Sequence, residues 1–151
     1  MVHGPEPIIP ISIACVKEDI KNWGKQEHKK FWTEIPTCKH TKLMVPLVNG
    51  KIWKQISKLP RQDIRRITQM LTGHCTLQKH LVNMKFEQDT TCQQCLEDEE
   101  TAEHFLSSCP AFATIRQQTL GNMFLRRNEL KSLKVSNILK FCKETGRFDD
   151  N

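Results

Sequence analysis

The sequence predicts a mainly α-helical protein: a small helical domain with a cysteine-rich insert, behind an extended N-terminal leader. Two observations predict it. Apolar residues recur at helical intervals in several stretches, and prolines and glycines (Pro36, Pro60, Gly73, Gly121, Gly146) punctuate those stretches where helices would end. A third observation places the insert. Three of the seven cysteines fall within CQQCLEDEETAEHFLSSC, with a histidine between them.

Residues 1–12 contain Pro5, Pro7 and Pro10 and are expected to be extended. From Ser12 a helix is expected through about Ile35, with Val16, Ile20, Trp23 and Phe31 on one face. Lys17, Lys21, Lys25 and Lys29 recur every four residues on another face. That row reads either as a solvated helix surface or as a stripe for nucleic-acid phosphates. Pro36 ends the helix, and residues 36–50 read as a loop with a short extended piece over 43–48.

Ile52, Ile56 and Leu59 share one helical face, and Pro60 interrupts before a stronger helix over 61–71 with Ile64, Ile67 and Leu71 inward. Arg61, Arg65 and Arg66 point the other way, where their guanidinium forks suit phosphate or simply solubilise the helix. Gly73 closes that helix. Thr76 is placed to cap the next one, with Leu77, Leu81 and Met84 on its buried face. His74, Cys75 and His80 lack a C-x2-C partner and read as core or surface residues rather than ligands.

Cys92, Cys95, His104 and Cys109 stand at C-x2-C-x8-H-x4-C. Two cysteines two residues apart can grip one ion from a single turn, and a His and a Cys from a following helix can complete a tetrahedron. This is the pattern of one structural zinc ion in a CCHC zinc-knuckle-like insert. With four protein ligands, no coordination position is left for substrate. Thr101 is the expected N-cap of the helix that carries His104, and Glu103 lies in its first turn. Phe105, Leu106 and Phe112 are expected in the core. Pro110 opens a further helix, Gly121 closes it, and residues 136–145 form a last helix with Ile138, Leu139 and Cys142 inward and Phe148 folded back.

The organisation that follows is an extended leader (1–12), a basic helical region (13–86), the zinc-binding motif and its helix (87–120), and a helical tail (121–151). Charge divides the same way. Residues 1–86 hold 15 Lys or Arg against 6 acids, residues 87–115 hold 7 acids and no Lys or Arg, and residues 116–151 hold 8 bases against 4 acids. A phosphate backbone is attracted to the flanks and repelled by the metal loop. Mean hydropathy is negative, and the longest apolar run, residues 8–16, is broken by Pro10 and too short for a bilayer. No secretory signal is visible, so the expectation is an intracellular protein, cytoplasmic or nuclear, with reduced cysteines and no membrane partner.

LTGHCTLQKHL from Leu71 and CQQCLEDEETAEHFLSSCPAF from Cys92 resemble the C-terminal end of polyproteins of Jockey-type non-LTR retrotransposons. The GPEPIIPIS and NILKFCKETGRF stretches resemble the same region. The resemblance implies a helical, zinc-binding tail that follows reverse transcriptase and RNase H domains, with Cys92, Cys95, His104 and Cys109 as the ligands. The chain has no tyrosine and no Y-x-D-D-like turn for a polymerase, and its acids form no two-metal constellation for RNase H, so it is expected to be no enzyme. The metal loop also departs from retroviral RNA-gripping knuckles: its gap is acidic and carries no aromatic residue before His104.

Three functions stay open at this point. The chain is a non-catalytic module binding RNA or DNA, a protein-interaction module docking on a reverse transcriptase or RNase H portion through its acidic loop, or a fragment of an active polyprotein.

Overall fold

The computed structural model describes residues 12–47 and 50–148. The expected leader, apart from Ser12, and the terminal Asp149 and Asp150 lie outside those residues. Eight α-helices run in chain order: α1 (Ile13–Glu34), α2 (Lys39–Met44), α3 (Gly50–Ile56), α4 (Arg61–Thr72), α5 (Gln78–Asn83), α6 (Ala102–Ser107), α7 (Ala113–Leu120) and α8 (Val135–Glu144). Two 3₁₀ turns, Pro110–Phe112 and Arg127–Ser132, join them. The fold is mainly α, and the one β feature among the described residues is an isolated antiparallel bridge between Thr91 and Glu99. No described helix is long and apolar enough to cross a membrane.

The described residues fall into two units, one ending at Ile35 and one beginning at Pro36. The first unit is α1. Ser12 caps it, its hydroxyl accepting from the Cys15 amide at 3.2 Å. None of its residues is buried: the predicted inward face is out in solvent, with Trp23 64 % and Phe31 62 % exposed. Helical spacing gathered those side chains on one side, but spacing alone supplies nothing to cover them.

The second unit is built around one hydrophobic core that runs from Met44 to Phe148 in sequence. Phe105 lies at its centre, with ring centroids 4.9 Å from Phe141, 5.2 Å from Phe112 and 5.3 Å from Phe148. Tilted and edge-on aromatic contacts of this kind add about 0.5–1.5 kcal/mol per pair beyond area burial. Ile67 and Met70 of α4 and Ile138, Phe141 and Cys142 of α8 are fully enclosed in the same core. Helices α4 and α7 both pack on α8.

Three expectations are corrected here. Residues 39–44, read as loop leading into an extended piece, form helix α2. Cys38 takes a left-handed conformation (φ 59°) to start it, His40 Nε2 bonds the Met70 carbonyl at 2.7 Å, and Met44 is buried. Tertiary burial overrides weak local propensity in such a short segment. Thr76 does not cap α5. Leu77 holds the N-cap position, and the carboxylate of Glu100 accepts from the Gln78 amide at 2.8 Å. Met84 is not inward but 54 % exposed, because α5 ends at Asn83 and Lys85 then takes a positive φ.

The helix ends behave as their residues dictate. Gly73 (φ 76°) and Gly121 (φ 95°) sit in the left-handed region as C-caps of α4 and α7, a conformation that costs residues with a Cβ 1–2 kcal/mol or so. Phe148 does fold back and is buried.

Candidate metal centre

The centre is assembled by a loop and a short helix. Asp89 opens the loop by accepting from both the amide and the hydroxyl of Thr91, at 2.9 and 2.7 Å. The Thr91–Glu99 bridge closes it, with the Cys92 amide bonded to the Asp98 carbonyl at 2.8 Å and the Glu100 amide to the Thr90 carbonyl at 2.7 Å. Within this clamp the chain reverses through Cys92–Cys95, and Leu96 adopts φ 60° to bring its amide back to the Cys92 carbonyl at 2.9 Å. Thr101 then caps α6 as its position predicts, its hydroxyl accepting from the His104 amide at 2.9 Å. That fixes His104 in the first turn. The helix ends at Ser107, and the Cys109 amide bonds back to the His104 carbonyl at 2.9 Å, which turns the last thiol toward the first three ligands.

The ligand atoms of Cys92, Cys95, His104 and Cys109 all lie within 4.8 Å of one another. Cys92 Sγ and Cys109 Sγ are 3.9 Å apart, and Cys95 Sγ and His104 Nε2 are 3.4 Å apart. A tetrahedral zinc ion with ordinary Zn–S and Zn–N bonds requires edges of about 3.8 Å between two sulfurs and about 3.5 Å between sulfur and nitrogen. The four predicted ligands are therefore gathered at the spacing one such ion needs. Three are buried and Cys95 is half-buried, and they form the one cluster among the described residues with this ligand geometry.

The surroundings act differently on the ligand residues. His104 points Nε2 into the cluster and Nδ1 at the Ser108 hydroxyl, 3.2 Å away, with an Asp98 carboxylate oxygen at 3.9 Å. An outer partner of this kind orients a metal-ligating imidazole. Burial holds the His104 pKa below its ordinary value, opposed by Asp98 and aided by the charge of Arg116. At Cys95, burial pushes the thiol up. Hydrogen bonds from the Glu97 and Asp98 amides and from Cys92 and Cys109 outweigh it, and the pKa ends below the ordinary thiol value. Burial, with the neighbouring sulfurs Cys92 and Cys95, pushes Cys109 up to about 12.

Arg116 is fully buried on α7 and was not visible as a site residue in the sequence. Its guanidinium donates to the carbonyls of Cys109 (2.9 Å), Phe105 (3.2 Å) and Met123, and lies 5.8 Å from the centre of the Phe141 ring. Three thiolates and a neutral imidazole around a divalent ion carry one net negative charge. A buried cation bonded to the backbone of one ligand is the complement of that charge.

The acids of the stretch 97–100 do not all face outward. Glu99 is exposed and pairs with Lys79 at 2.7 Å, but Glu100 is 1 % exposed. It receives two guanidinium nitrogens of Arg147, with distances of 3.1–3.3 Å, while capping α5. No sequence signal separates it from its acidic neighbours; only the fold does.

The predicted basic residues divide in the same manner. Lys17, Lys21, Lys25 and Lys29 are all exposed on α1, with Lys21 3.6 Å from Glu18. Arg61 and Arg65 are exposed on α4. Arg66 is instead half-buried and pairs at 3.2 Å with Asp63, which Lys143 of α8 also contacts at 2.8 Å. That carboxylate was missed because one acid in a basic helix gives no sign that its partner lies on a distant helix.

No family model, curated protein or solved structure matches this chain.

Proposed function

We propose that this chain is a non-catalytic nucleic-acid-binding module held together by one structural zinc ion. The observation that carries the reading is the closed ligand set: four protein atoms within 4.8 Å of one another, three of the residues buried, leave a single ion no coordination position for chemistry on a bound molecule. The soft Cys₃His donor set favours zinc over the hard cations. Around this centre the acids stay on the loop, while exposed lysines and arginines occupy α1 and α4. Phosphate contact by those helices fits the charge division, and the motif's likeness to retrotransposon polyprotein tails makes an intracellular RNA or DNA strand the natural ligand.

Metal analysis and a salt titration test the two halves separately. Protein purified without chelator should carry one zinc per chain. Binding to a labelled single strand should weaken with salt at a slope of about −0.7 per phosphate contacted. A zinc content near zero removes the metal half. No detectable binding at low ionic strength, where phosphate contacts are strongest, removes the other.

One observation favours a second reading, a protein-docking module. Ile13, Ile20, Trp23 and Phe31 are all more than 60 % exposed on α1. A partner such as a reverse transcriptase or RNase H portion that covered this face would lose affinity on Trp23→Ala and keep it on Lys21→Glu. A phosphate-binding α1 would show the reverse.

A further inference from the structure

A recess of about 200 Å³ opens where α2, α3, α4, the 3₁₀ turn Arg127–Ser132 and the start of α8 meet. Seven of its ten lining side chains are apolar and none is aromatic; Met44, Leu130, Val135 and Ile138 are among those that belong to the buried core. An apolar space of about 150 Å³ already holds a benzene-sized group, so this one accommodates a side chain the size of leucine. The other three lining residues, Gln55, Lys131 and Lys134, are exposed and form the rim.

That rim is positive. Among the described residues neither Lys131 nor Lys134 pairs with a carboxylate, and none lines the recess. Lys134 also holds the N-cap position of α8, which has no side-chain cap and no acid in its first turn, so the positive end of the helix dipole lies at the same place. The acid nearest in sequence, Glu129, is engaged by the Arg126 amide at 2.6 Å. Asp149 and Asp150 follow Phe148 in the chain, beyond the opposite end of α8.

The chain carries the complement elsewhere. Leu96, in the metal loop, is 71 % exposed, and Glu97 and Asp98, which follow it, are exposed as well. Its amide bond to the Cys92 carbonyl at 2.9 Å fixes the turn, so this knob is ordered before it meets anything. Because Leu96 is exposed, it does not fill the recess of its own chain. An apolar knob beside acids and an apolar socket rimmed by cations match in size and in charge.

We propose that Leu96, with Glu97 and Asp98, docks into this recess on a second copy of the chain. The contact is small, so the association is weak and salt-sensitive. A nucleic-acid strand is the poorer fit, since the socket offers no ring on which a base could stack. This self-association stands independently of the nucleic-acid reading.

Sedimentation of the full-length protein over a range of concentrations provides the test. The average mass should rise with concentration and fall back as salt is added. Leu96→Ser, which removes the knob, and the double reversal Lys131→Glu with Lys134→Glu should each weaken association roughly tenfold. Glu97→Lys with Asp98→Lys should do the same. An equimolar mixture of the two charge-reversed chains should associate again, because each socket then meets a knob of opposite charge. In that mixture the methyl signals of Val135 and Ile138 in the lysine-reversed chain should shift as the acid-reversed chain is added. Zinc analysis and a thermal melt of each variant separate lost docking from lost folding, and Leu96→Ser carries the test without any charge change.

A chain that stays monomeric at every concentration overturns the proposal. Association that survives Leu96→Ser and both reversals runs through another surface, such as the apolar face of α1, and overturns it too. A mixture of folded charge-reversed chains that fails to associate refutes the pairing of loop with recess. The nucleic-acid reading is untouched by any of these results.

Discussion

Helices α1 and α6 make an instructive pair. The first is 22 residues long, capped by Ser12, and carries aromatic residues at helical spacing; the second has six residues, capped by Thr101. Yet Trp23 and Phe31 of the long helix stand in solvent, while Phe105 and Leu106 of the short one are fully buried. Length and periodicity therefore do not decide which helix carries stability. Helix α6 is anchored by His104 in the Cys₃His cluster and by the Arg116 bond to the Phe105 carbonyl, whereas no residue of α1 is buried.

The contrast breaks most visibly at the metal. Cys95→Ala, or a strong chelator, should unfold the segment around the centre, because structural zinc supplies about 10–16 kcal/mol of apparent binding free energy in small peptides. In two-dimensional NMR spectra, resonances of the metal loop, α6 and α7 should collapse while those of α1 keep their positions. Retention of dispersed peaks for α6 after chelation would mean that packing alone holds it.

Aromatic truncation draws the comparison within one residue class. Phe105→Ala should cost about 3–5 kcal/mol, as for a large core side chain, whereas Trp23→Ala should stay within about 0.5 kcal/mol in a denaturant melt. Glu100→Ala is expected at the lower end of the Phe105→Ala range, about 3 kcal/mol. It leaves Arg147 without its carboxylate and the start of α5 without its cap, but the arginine is partly exposed and recovers some hydration.

A smaller, pH-dependent effect lies at Asp63. The hydrogen bond from Lys143 holds its carboxyl below the ordinary value, against burial and with help from Arg66. A depressed carboxylate stabilises the fold above the unfolded pKa of about 3.9, and that contribution is lost as pH falls through the folded value. Asp63→Asn should thus lower stability at neutral pH and narrow its difference from the parent protein as the melt is taken into acid. The smallest expected change is at Leu96, 71 % exposed at φ 60°. Leu96→Gly should raise stability by up to about 1 kcal/mol through relief of backbone strain, and a loss there would show that the leucine packs on something.

The legible part of the molecule was its local chemistry. The C-x2-C-x8-H-x4-C spacing named the four residues that the fold gathers into one cluster, Thr101 and Ser12 marked caps, and Gly73 and Gly121 marked helix ends, since each of these signals acts through neighbours a few residues away. What escaped depended on distant partners. Helix α2 exists because Met44 reaches the core and His40 reaches Met70. Arg116 and Glu100 matter because the chain wraps around them, and Arg66 turned from a free-standing phosphate fork into a member of an ion-pair network. A periodic pattern likewise names a helix face without naming what covers it, which is why α1 was right in extent and wrong in burial.

The Glu100–Arg147 link also sets an order of events during synthesis. The metal ligands span 17 residues from Cys92 to Cys109, but the arginine that braces the end of their loop lies 47 residues beyond Glu100. At ribosomal rates of 5–20 residues per second, roughly two to ten seconds separate the two. Once Cys109 has emerged, all four cluster residues are present in the nascent chain while Glu100 still awaits its counter-charge. The cluster residues are thus complete in the chain first, and closure of the C-terminal turn follows as the latch.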